Sequence, residues 1–321
     1  MYSLKGKVCF QIGFHPLENK MNIIGRRKIW YLISLILLTP GIIAMIVWGI
    51  PFGIDFKGGT LLEIQFSQSV SKDTIIEATK NLDIKNINVL PSGEDNFIIR
   101  TGILDDSQQK NLIESLNKAG DYKQNRFETV GPAVSNDLRN KAVIAVIIAS
   151  IAIIFYIAIA FRKVPKPTTS WRFGICAVLA LIHDVLFVVG MSAILGHFFG
   201  YEVDALFITA ILTIMGFSVH DTIVVFDRIR ENLRKSPSLD FEENVNNSIL
   251  QTINRSLNTS FTVLIVLFSL YLLGGDTLKH FMLILLIGIA IGTYSSIFNA
   301  PPLLVSWHRW SMRRASKNVS S

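Results

Sequence analysis

Six apolar blocks, each close in length to a membrane span, constrain this chain more than any other feature. A helix needs about 20 mostly apolar residues to cross the hydrocarbon core of a bilayer. The blocks are residues 29–50, 142–161, 173–199, 205–226, 260–273 and 281–304. The fifth is the shortest, and we expect its helix to begin earlier, near Ser256. The pattern predicts an α-helical integral membrane protein with six transmembrane helices.

The composition supports this fold class and excludes a nucleic-acid partner. Hydrophobic residues make up 50% of the chain and charged residues 17%, and the mean hydropathy is +0.43, values typical of integral membrane proteins. The net charge is +7. The basic residues that produce it lie beside the apolar blocks and form no basic patch interleaved with aromatic residues. Of the two cysteines, Cys9 precedes the first block and Cys176 lies in the third, so we expect neither a disulfide nor a metal site.

The basic residues occur on alternate connections between the blocks, which predicts the orientation of the chain. The connection between the third and fourth blocks holds Glu202 and Asp204 but no Lys or Arg. By the positive-inside rule, both termini are cytoplasmic. The N-terminal block lacks an A-x-A-like site, so it is expected to remain as an uncleaved span. The basic residues on the cytoplasmic side are Lys5, Lys7, Lys20, Arg26, Arg27, Lys28, Arg162, Lys163, Lys166, Arg172, Arg309, Arg313, Arg314 and Lys317.

The polar segment between the first two blocks carries strand and helix patterns in alternation. Apolar and polar residues alternate from Leu62 to Phe66, as in a half-buried strand. Ser71 is a candidate N-cap of one helix, and Asp105 and Asp106 open a second. Further strands are predicted at residues 87–89, 97–100 and 126–130, with a turn at residues 91–93. The order β-α-β-β-α-β predicts a ferredoxin-like α+β domain outside the membrane.

The chain is therefore expected to divide into five parts. These are a cytoplasmic N-terminal segment (residues 1–28), the first transmembrane helix (29–50), a periplasmic ferredoxin-like domain (51–141), a five-helix transmembrane bundle (142–304) and a cytoplasmic tail (305–321).

The sequence GIDFKGG lies where the first helix passes into the first strand. Gly53, Gly58 and Gly59 give the backbone freedom at this junction. Two interpretations stay open, namely a turn in which Asp55 and Lys57 face water, or a functional hinge. The chain contains no phosphate loop and no dinucleotide-binding fingerprint, so we expect no cofactor.

The fourth block carries an ionisable pair, His220 and Asp221, within a membrane span. A carboxylate there costs about 2.5–3.5 kcal/mol on insertion scales, so its presence indicates a function. Counted along the helix at 1.5 Å per residue, Asp221 falls in the cytoplasmic third of the bilayer. Arg255 begins the fifth helix from the cytoplasmic side and is expected at a similar depth. An Asp that faces an Arg stays ionised until the two separate, which can drive a proton-linked conformational change.

Five segments, taken together, resemble one family. The fourth helix reads GFSVHDTIVVFDRIRE from Gly216 to Glu231. GIDFKGG, LIHDV, NRSLNTS and GTYSSIF begin at residues 53, 181, 254 and 292. In this order and spacing the five resemble the SecF family, accessory membrane subunits of the Sec protein-export machinery. His220 departs from the pattern, since the family usually has Asn there.

The resemblance implies that Asp221 and Arg255 take part in proton movement. His183 and Asp184 match the HD motif of the family, and they either belong to the proton path or join helices by hydrogen bonds. His220 can replace an amide as donor and acceptor, or can itself titrate. Structural alternatives are also open, with Arg255 as an anchor that reaches the headgroups and Asp221 as a hydrogen-bonding group between helices.

Two further pairs are assigned simpler roles. Gly288 and Gly292 in the sixth helix form a G-x-x-x-G pattern, which predicts close helix packing. Asp227 and Arg228 follow the fourth span and are expected in a solvated cytoplasmic rim.

The expected function is that of a SecF-like subunit in the SecDF complex, which uses the proton motive force to promote protein translocation by the Sec pathway. The resemblance implies a multi-pass protein of the bacterial cytoplasmic membrane. Its implied partners are SecD, the SecYEG translocon, YajC and YidC as further candidates, and the emerging exported polypeptide.

Two other functions compete with this one. The first is half of a resistance-nodulation-division-type exporter of small molecules or lipids, whose twelve-span plan consists of two such halves. The second is an intramembrane metallohydrolase with ligands from His183, Asp184, His220 and Asp221. No H-E-x-x-H occurs, and Arg255 would repel a metal ion, so we expect no enzyme activity and no metal site.

Overall fold

The computed structural model describes residues 21–91, 95–162, 165 and 168–319. Its helices are α1 (Arg27–Val47), α2 (Ile54–Lys57), α3 (Lys72–Thr79), α4 (Asp106–Ala119), α5 (Pro132–Ala160), α6 (Ser170–Phe199), α7 (Ala205–Lys235), α8 (Phe241–Leu273), α9 (Asp276–Phe298) and α10 (Ala300–Val319). Its strands are β1 (Gly59–Phe66), β2 (Asn88–Pro91), β3 (Asn96–Thr101) and β4 (Tyr122–Val130).

Six helical stretches are long and apolar enough to span a membrane, which confirms the predicted number. They are Arg27–Val47, Pro132–Ala160, Ser170–Phe199, Ala205–Lys235, Phe241–Leu273 and Leu278–Arg314. The protein is therefore a multi-pass membrane protein. We call α1 and α5 to α10 together the bundle.

The helices extend beyond the apolar blocks because polar residues continue them outside the apolar region. α8 begins at Phe241, where Asp240 accepts a hydrogen bond from the Glu242 amide, well before the expected start near Ser256. α5 begins at Pro132, in the first turn where proline costs no hydrogen bond. Hydropathy thus located the membrane segments and not the ends of the helices.

The bundle has a central layer and a peripheral layer. In α6, α7 and the stretch Leu278–Arg314, half or slightly more of the most apolar window is buried, 50%, 50% and 56%. The corresponding shares for α1, α5 and α8 are 11%, 6% and 11%. The predicted carboxylates Asp184 on α6 and Asp221 on α7 therefore lie at the centre of the bundle.

Between α1 and α5 the chain forms a small antiparallel sheet with the strand order β2-β3-β1-β4. The elements β1, α3, β2, β3, α4 and β4 succeed one another in the predicted order. Ser71 and Asp105 cap α3 and α4 as predicted, and Asp105 does so in a capping box with Gln108. Ser92 and Gly93 of the predicted turn lie outside the described residues. We call α2 to β4 the sheet domain.

The two faces of the sheet have different surroundings. Leu62, Ile64 and Phe66 of β1 pack with apolar residues of α3 and α4 in a core of their own. The opposite face carries Leu61, Glu63 and Arg100, and it borders a cavity closed on the other side by the turn between α6 and α7. We call this end of the bundle the sheet end.

Candidate functional site

Asp184, at the middle of α6, is completely buried between three helices, with 0% of its surface exposed. Its Oδ2 accepts hydrogen bonds from Ser218 Oγ of α7 at 2.6 Å and from Ser295 Oγ of α9 at 2.7 Å. Its Oδ1 lies 3.0 Å from Nδ1 of His183. A buried carboxyl group is costly without partners, and these bonds offset that cost while they join α6, α7 and α9.

Asp221 lies on α7, about one turn after Ser218. It is also buried, with 2% of its surface exposed. Its described side-chain hydrogen bond comes from Ser260 Oγ of α8, at 3.3 Å from Oδ2. Ser260 Oγ in turn lies 2.6 Å from Thr293 Oγ1 of α9. Asp221 thus has one long hydrogen bond where Asp184 has two short ones, so its oxygens keep more capacity to bind a proton or a cation.

Gly288 and Gly292 bring α7 and α9 close enough for these contacts. A Cβ atom at Gly292 would lie 3.0 Å from Ser218 Cβ, and one at Gly288 would collide with the side chain of Ile214. Both positions thus lie against α7, and the packing role that the G-x-x-x-G pattern predicts for them stays a prediction. Their close approach lets Ser218 and Ser295 reach the same oxygen of Asp184.

Arg255 does not pair with Asp221 in this structure. It lies on the exposed side of α8, and no ion pair involves it within the described part of the chain. The α8 residue that reaches Asp221 is Ser260, five residues or about 7.5 Å further along the helix. The sequence estimate of equal depth was too coarse by more than one helical turn. A direct Asp221–Arg255 pair stays a prediction for another conformation.

The remaining ionisable residues of the motif lie apart from this network. His220 is exposed on α7, on the side shared with Asp227. Asp227 pairs with Arg230 at 2.5 Å, and Arg228 pairs with Glu231 at 2.6 Å. His183, Asp184, His220 and Asp221 are therefore not gathered as the ligand set of a metallohydrolase. Across the described residues, no three His, Cys, Asp or Glu side chains form such a set.

Sequence patterns did not single out the hydroxyl groups that bind the two carboxylates. Ser260, Thr293 and Ser295 lie in the segments NRSLNTS and GTYSSIF, where they were not assigned a role. Their position in the sequence could have identified them, because these hydroxyl residues lie within the two apolar helices that follow α7. Small hydroxyl residues in membrane helices often bond between helices.

Part of the exposed surface of α7 and α8 is unusually polar for a surface within a membrane, although α8 also exposes apolar residues such as Leu257 and Phe261. On α7 the exposed residues at helical spacing are Thr209, Thr213, Gly216 and His220, and on α8 they are Arg255, Asn258, Thr259 and Thr262. We call these eight residues the polar stripe. The exposed residues of α5 are apolar instead, as at Ile147, Ile151 and Phe155. Lipid chains suit the surface of α5 and leave the polar stripe poorly solvated.

The predicted junction residues connect the sheet domain to the sheet end through hydrogen bonds. Asp55 Oδ2 accepts a hydrogen bond of 2.8 Å from the Ala205 amide in the first turn of α7, so this carboxylate is not merely solvated. The Gly53 amide donates to the Val203 carbonyl at 2.9 Å. Gly58 and Gly59 have φ angles of +75° and +137°, which favour glycine. The role of this junction as a hinge stays a prediction.

The comparisons with known proteins agree with the segments identified in the sequence. Residues 108–310 match the family described as protein export membrane protein SecD/SecF, C-terminal. Residues 43–70 match the SecD/SecF GG motif. The protein translocase subunit SecF of Thermobaculum terrenum is 47% identical over 300 residues, which cover 89% of this chain and 94% of that protein. The chain belongs to the SecF family.

Other SecF proteins and solved structures extend this relation over the whole fold. The SecF subunit of Anaerolinea thermophila is 42% identical over 311 residues, or 94% of this chain and 100% of that protein. The crystal structure of SecDF, a translocon-associated membrane protein from Thermus thermophilus, matches 90% of this chain with a TM-score of 0.81 and 33% identity. SecDF in a super-membrane-facing form matches 96% of this chain with a TM-score of 0.68 and 31% identity.

This chain corresponds to only part of SecDF. It spans 39% and 41% of the two SecDF chains. The rest of those SecDF chains has no counterpart in these 321 residues.

Proposed function

We propose that this protein is the SecF subunit of a SecDF accessory complex, which uses the proton motive force to promote Sec-dependent protein translocation across the cytoplasmic membrane. Membership of the SecF family supports the subunit assignment. The use of a proton gradient is inferred from the environment of Asp221. This carboxyl group is buried in the bundle, and its described side-chain hydrogen bond is a long one from a neutral hydroxyl.

Asp221 has the properties of a carboxyl group that gains and loses a proton during the transport cycle. Among the described residues no cation lies within ion-pair distance of Asp221, so an ionised carboxylate at this position would be expensive to keep. The group therefore needs either a proton or the approach of a positive side chain. Arg255 is exposed on the adjacent helix α8 and lies about 7.5 Å along that helix from Ser260. To exchange the Ser260 hydroxyl for the Arg255 guanidinium, α8 must turn by about 140° and move along its axis, or the long Arg255 side chain must reach part of that distance.

For Asp184 we propose a packing role. Its partners Ser218 and Ser295 come from two other helices at short distances, and His183 occupies the second oxygen. A carboxyl group with this many fixed partners is well suited to hold α6, α7 and α9 in register. Its satisfied oxygens leave less capacity for an exchangeable proton than those of Asp221.

We assign the polar stripe to the contact with SecD. An Arg, a His and several small polar residues would be a poor match for lipid chains, whereas helices in membranes associate through small residues and hydrogen bonds. The two SecDF structures are more than twice the length of this chain, which supports a partner half of comparable size. SecYEG, YajC, YidC and the emerging polypeptide are the further partners that the family suggests.

The sheet domain is assigned to the periplasmic side and to the ferredoxin-like fold. The element order β-α-β-β-α-β and the strand order β2-β3-β1-β4 support that fold. The distribution of Lys and Arg supports cytoplasmic termini and a location in the inner membrane. The division of the chain into two cytoplasmic ends, a first helix, a periplasmic domain and a five-helix bundle belongs to the same proposal.

Copurification tests the subunit assignment and the polar stripe together. A tagged chain solubilised from native membranes should bring down SecD and SecYEG. Gly216→Trp introduces an indole on the polar stripe and should reduce the recovery of SecD at least several-fold. Ile151→Trp is the matched control, because it places the same group on the apolar surface of α5. Absence of SecD with the unmodified chain would contradict the assignment, and equal losses for both variants would contradict the stripe.

A further inference from the structure

Contacts from the sheet domain, and from the residues just before it, connect this part of the chain to the turn between α6 and α7 and to the start of α7. The backbone near Pro51 pairs with the turn between α6 and α7, since the Val203 amide donates to the Pro51 carbonyl at 2.8 Å and Phe52 and Val203 form a parallel bridge. Asp55 accepts a hydrogen bond from the amide of Ala205, the first residue of α7. Arg100 Nη1 of β3 lies 2.8 Å from Glu202 Oε1 in the turn.

The Arg100–Glu202 pair differs from the other ion pair of the sheet. It crosses from the sheet domain to the bundle, and its side chains are 15% and 21% exposed. Arg126 and Glu128 lie two residues apart on the same strand, at 2.7 Å, with side chains 38% and 43% exposed. A cavity of about 380 Å³ lies between the sheet and the sheet end and is lined by both pairs.

We propose that Arg100 and Glu202 form a docking clasp that holds the sheet domain against the start of α7, and that Glu202 takes up a proton when the domain docks. Both are positioning residues. The inference deepens the proposed function, and it rests on that function only for the idea that docking regulates the helix that carries Asp221. Asp221 lies about 24 Å along α7 from Ala205.

Glu202 is surrounded by charges of both signs. Arg100 and Lys57 favour its ionised form, and Asp55 and Asp204 oppose it. The other charged and titratable groups that line the cavity are Glu63 on β1, Arg126 and Glu128 on β4, Tyr201 in the turn, and Lys279 and His280 on α9. Burial is the largest influence, and together these effects raise the pKa of Glu202 from its ordinary 4.5 to about 7.

This difference in pKa sets the sign of the pH dependence. A docked carboxyl group with a pKa of about 7 binds its proton more tightly than a free one with a pKa of 4.5. The contribution to docking is therefore complete below pH 4.5 and is lost as the pH rises through 7. Between pH 8 and pH 5 the docking equilibrium should change by on the order of 50-fold. An acidic outer side would thus hold the domain docked.

Hydrogen exchange measures docking without any assay of transport. The amides of Gly53 and Val203 are bonded across the contact, so their protection reports its opening. For the full chain in lipid nanodiscs, protection factors corrected for the intrinsic pH dependence should rise on the order of 50-fold from pH 8 to pH 5. Glu202→Gln should give high protection without pH dependence. Arg100→Gln should move the midpoint to higher pH, because it removes a cation that favours the ionised form.

Glu128→Gln is the matched control and should keep the wild-type pH profile. The clasp is contradicted if wild-type protection does not change with pH, if Glu202→Gln retains the same pH dependence, or if it loses protection at every pH. The last result would mean that the ionised carboxylate, rather than the protonated one, holds the domain. Failure of the copurification experiment leaves this measurement unaffected, so the two proposals fail separately.

Discussion

The polar network of the bundle and the clasp at the sheet end both bury carboxyl groups, but they stabilise them in different ways. Asp184 and Asp221 receive hydrogen bonds from neutral hydroxyls on helices of one packed bundle. Glu202 faces the guanidinium of Arg100, which belongs to a separately packed domain. The first arrangement depends on how closely helices approach, and the second depends on whether Glu202 is protonated.

The difference indicates which contact can open first. To separate Ser218 and Ser295 from Asp184, helices that share a continuous core must move apart. Separation of Arg100 from Glu202 leaves the sheet core and the bundle core intact, because the pair lies between them. We therefore expect the bundle network to set stability and the clasp to set the position of the sheet domain.

The largest loss of stability is expected from Gly292→Leu. The new side chain would meet Ser218, whose Cβ lies 3.0 Å from the position of a Cβ at residue 292. Overpacking of this kind costs about 1–3 kcal/mol, and it would also displace the hydroxyl from Asp184. The thermal melting temperature in detergent should fall. Gly216→Ala on α7 meets no atom within 4 Å and serves as the control. Equal melting temperatures for wild type and Gly292→Leu would show that α7 and α9 are not held as described.

A smaller difference should separate the two buried carboxylates. Asp184→Ala leaves the buried Ser218 hydroxyl without its acceptor and leaves Ser295 with only the Gly292 carbonyl at 3.1 Å, so it should cost about 1–3 kcal/mol. Asp221→Ala removes one bond of 3.3 Å and should cost less. The melting temperatures of the two variants, measured at equal expression, compare the two losses of stability. A larger loss for Asp221→Ala would reverse the roles that we assign to them.

The smallest effect is expected at the sheet end, from Asp55→Ala. The start of α7 has a second cap, because Asp204 accepts a hydrogen bond of 2.8 Å from the Phe207 amide. Loss of the Asp55 contact should therefore cost about 0.5–1 kcal/mol, at the low end for a helix cap. Hydrogen exchange at Ala205 should become faster, while the melting temperature should fall by only about 1–3 °C. Lys57→Ala, at an exposed position of the same segment, should leave that exchange unchanged.

Periodicity and segment length in the sequence were enough to predict the local features of the fold. Six apolar blocks correspond to six helical stretches, the last of which comprises α9 and most of α10. The alternation from Leu62 to Phe66 corresponds to β1 with its buried face. The two N-caps, Ser71 and Asp105, were predicted because their hydroxyl and carboxylate precede helical patterns. A single segment contains the information for each of these features.

Features that depend on contacts between distant segments were not predictable in this way. The α8 partner of Asp221 is Ser260 and not Arg255. A count of residues from the helix ends predicted the level of Arg255, which is more than one helical turn away from the level of Ser260. In the sequence, Glu202 is recognisable only as an acidic residue in a connection. Its partner Arg100 is 102 positions away in the chain and comes close only after the sheet has formed. Burial and register, which decide both cases, exist only in the folded chain.

The central claim is that Asp221 lies on the ion path, and translocation into inverted membrane vesicles tests it most directly. Asp221→Asn keeps the shape of the side chain but removes its charge and exchangeable proton. Vesicles with normal levels of the variant and of SecD should translocate a Sec substrate at the basal rate and show no stimulation by an imposed proton gradient. Asp227→Asn, at an exposed position nearer the C-terminal end of α7, should respond to the gradient as wild type does. Full stimulation in Asp221→Asn vesicles would contradict the account and leave this carboxylate with a structural role.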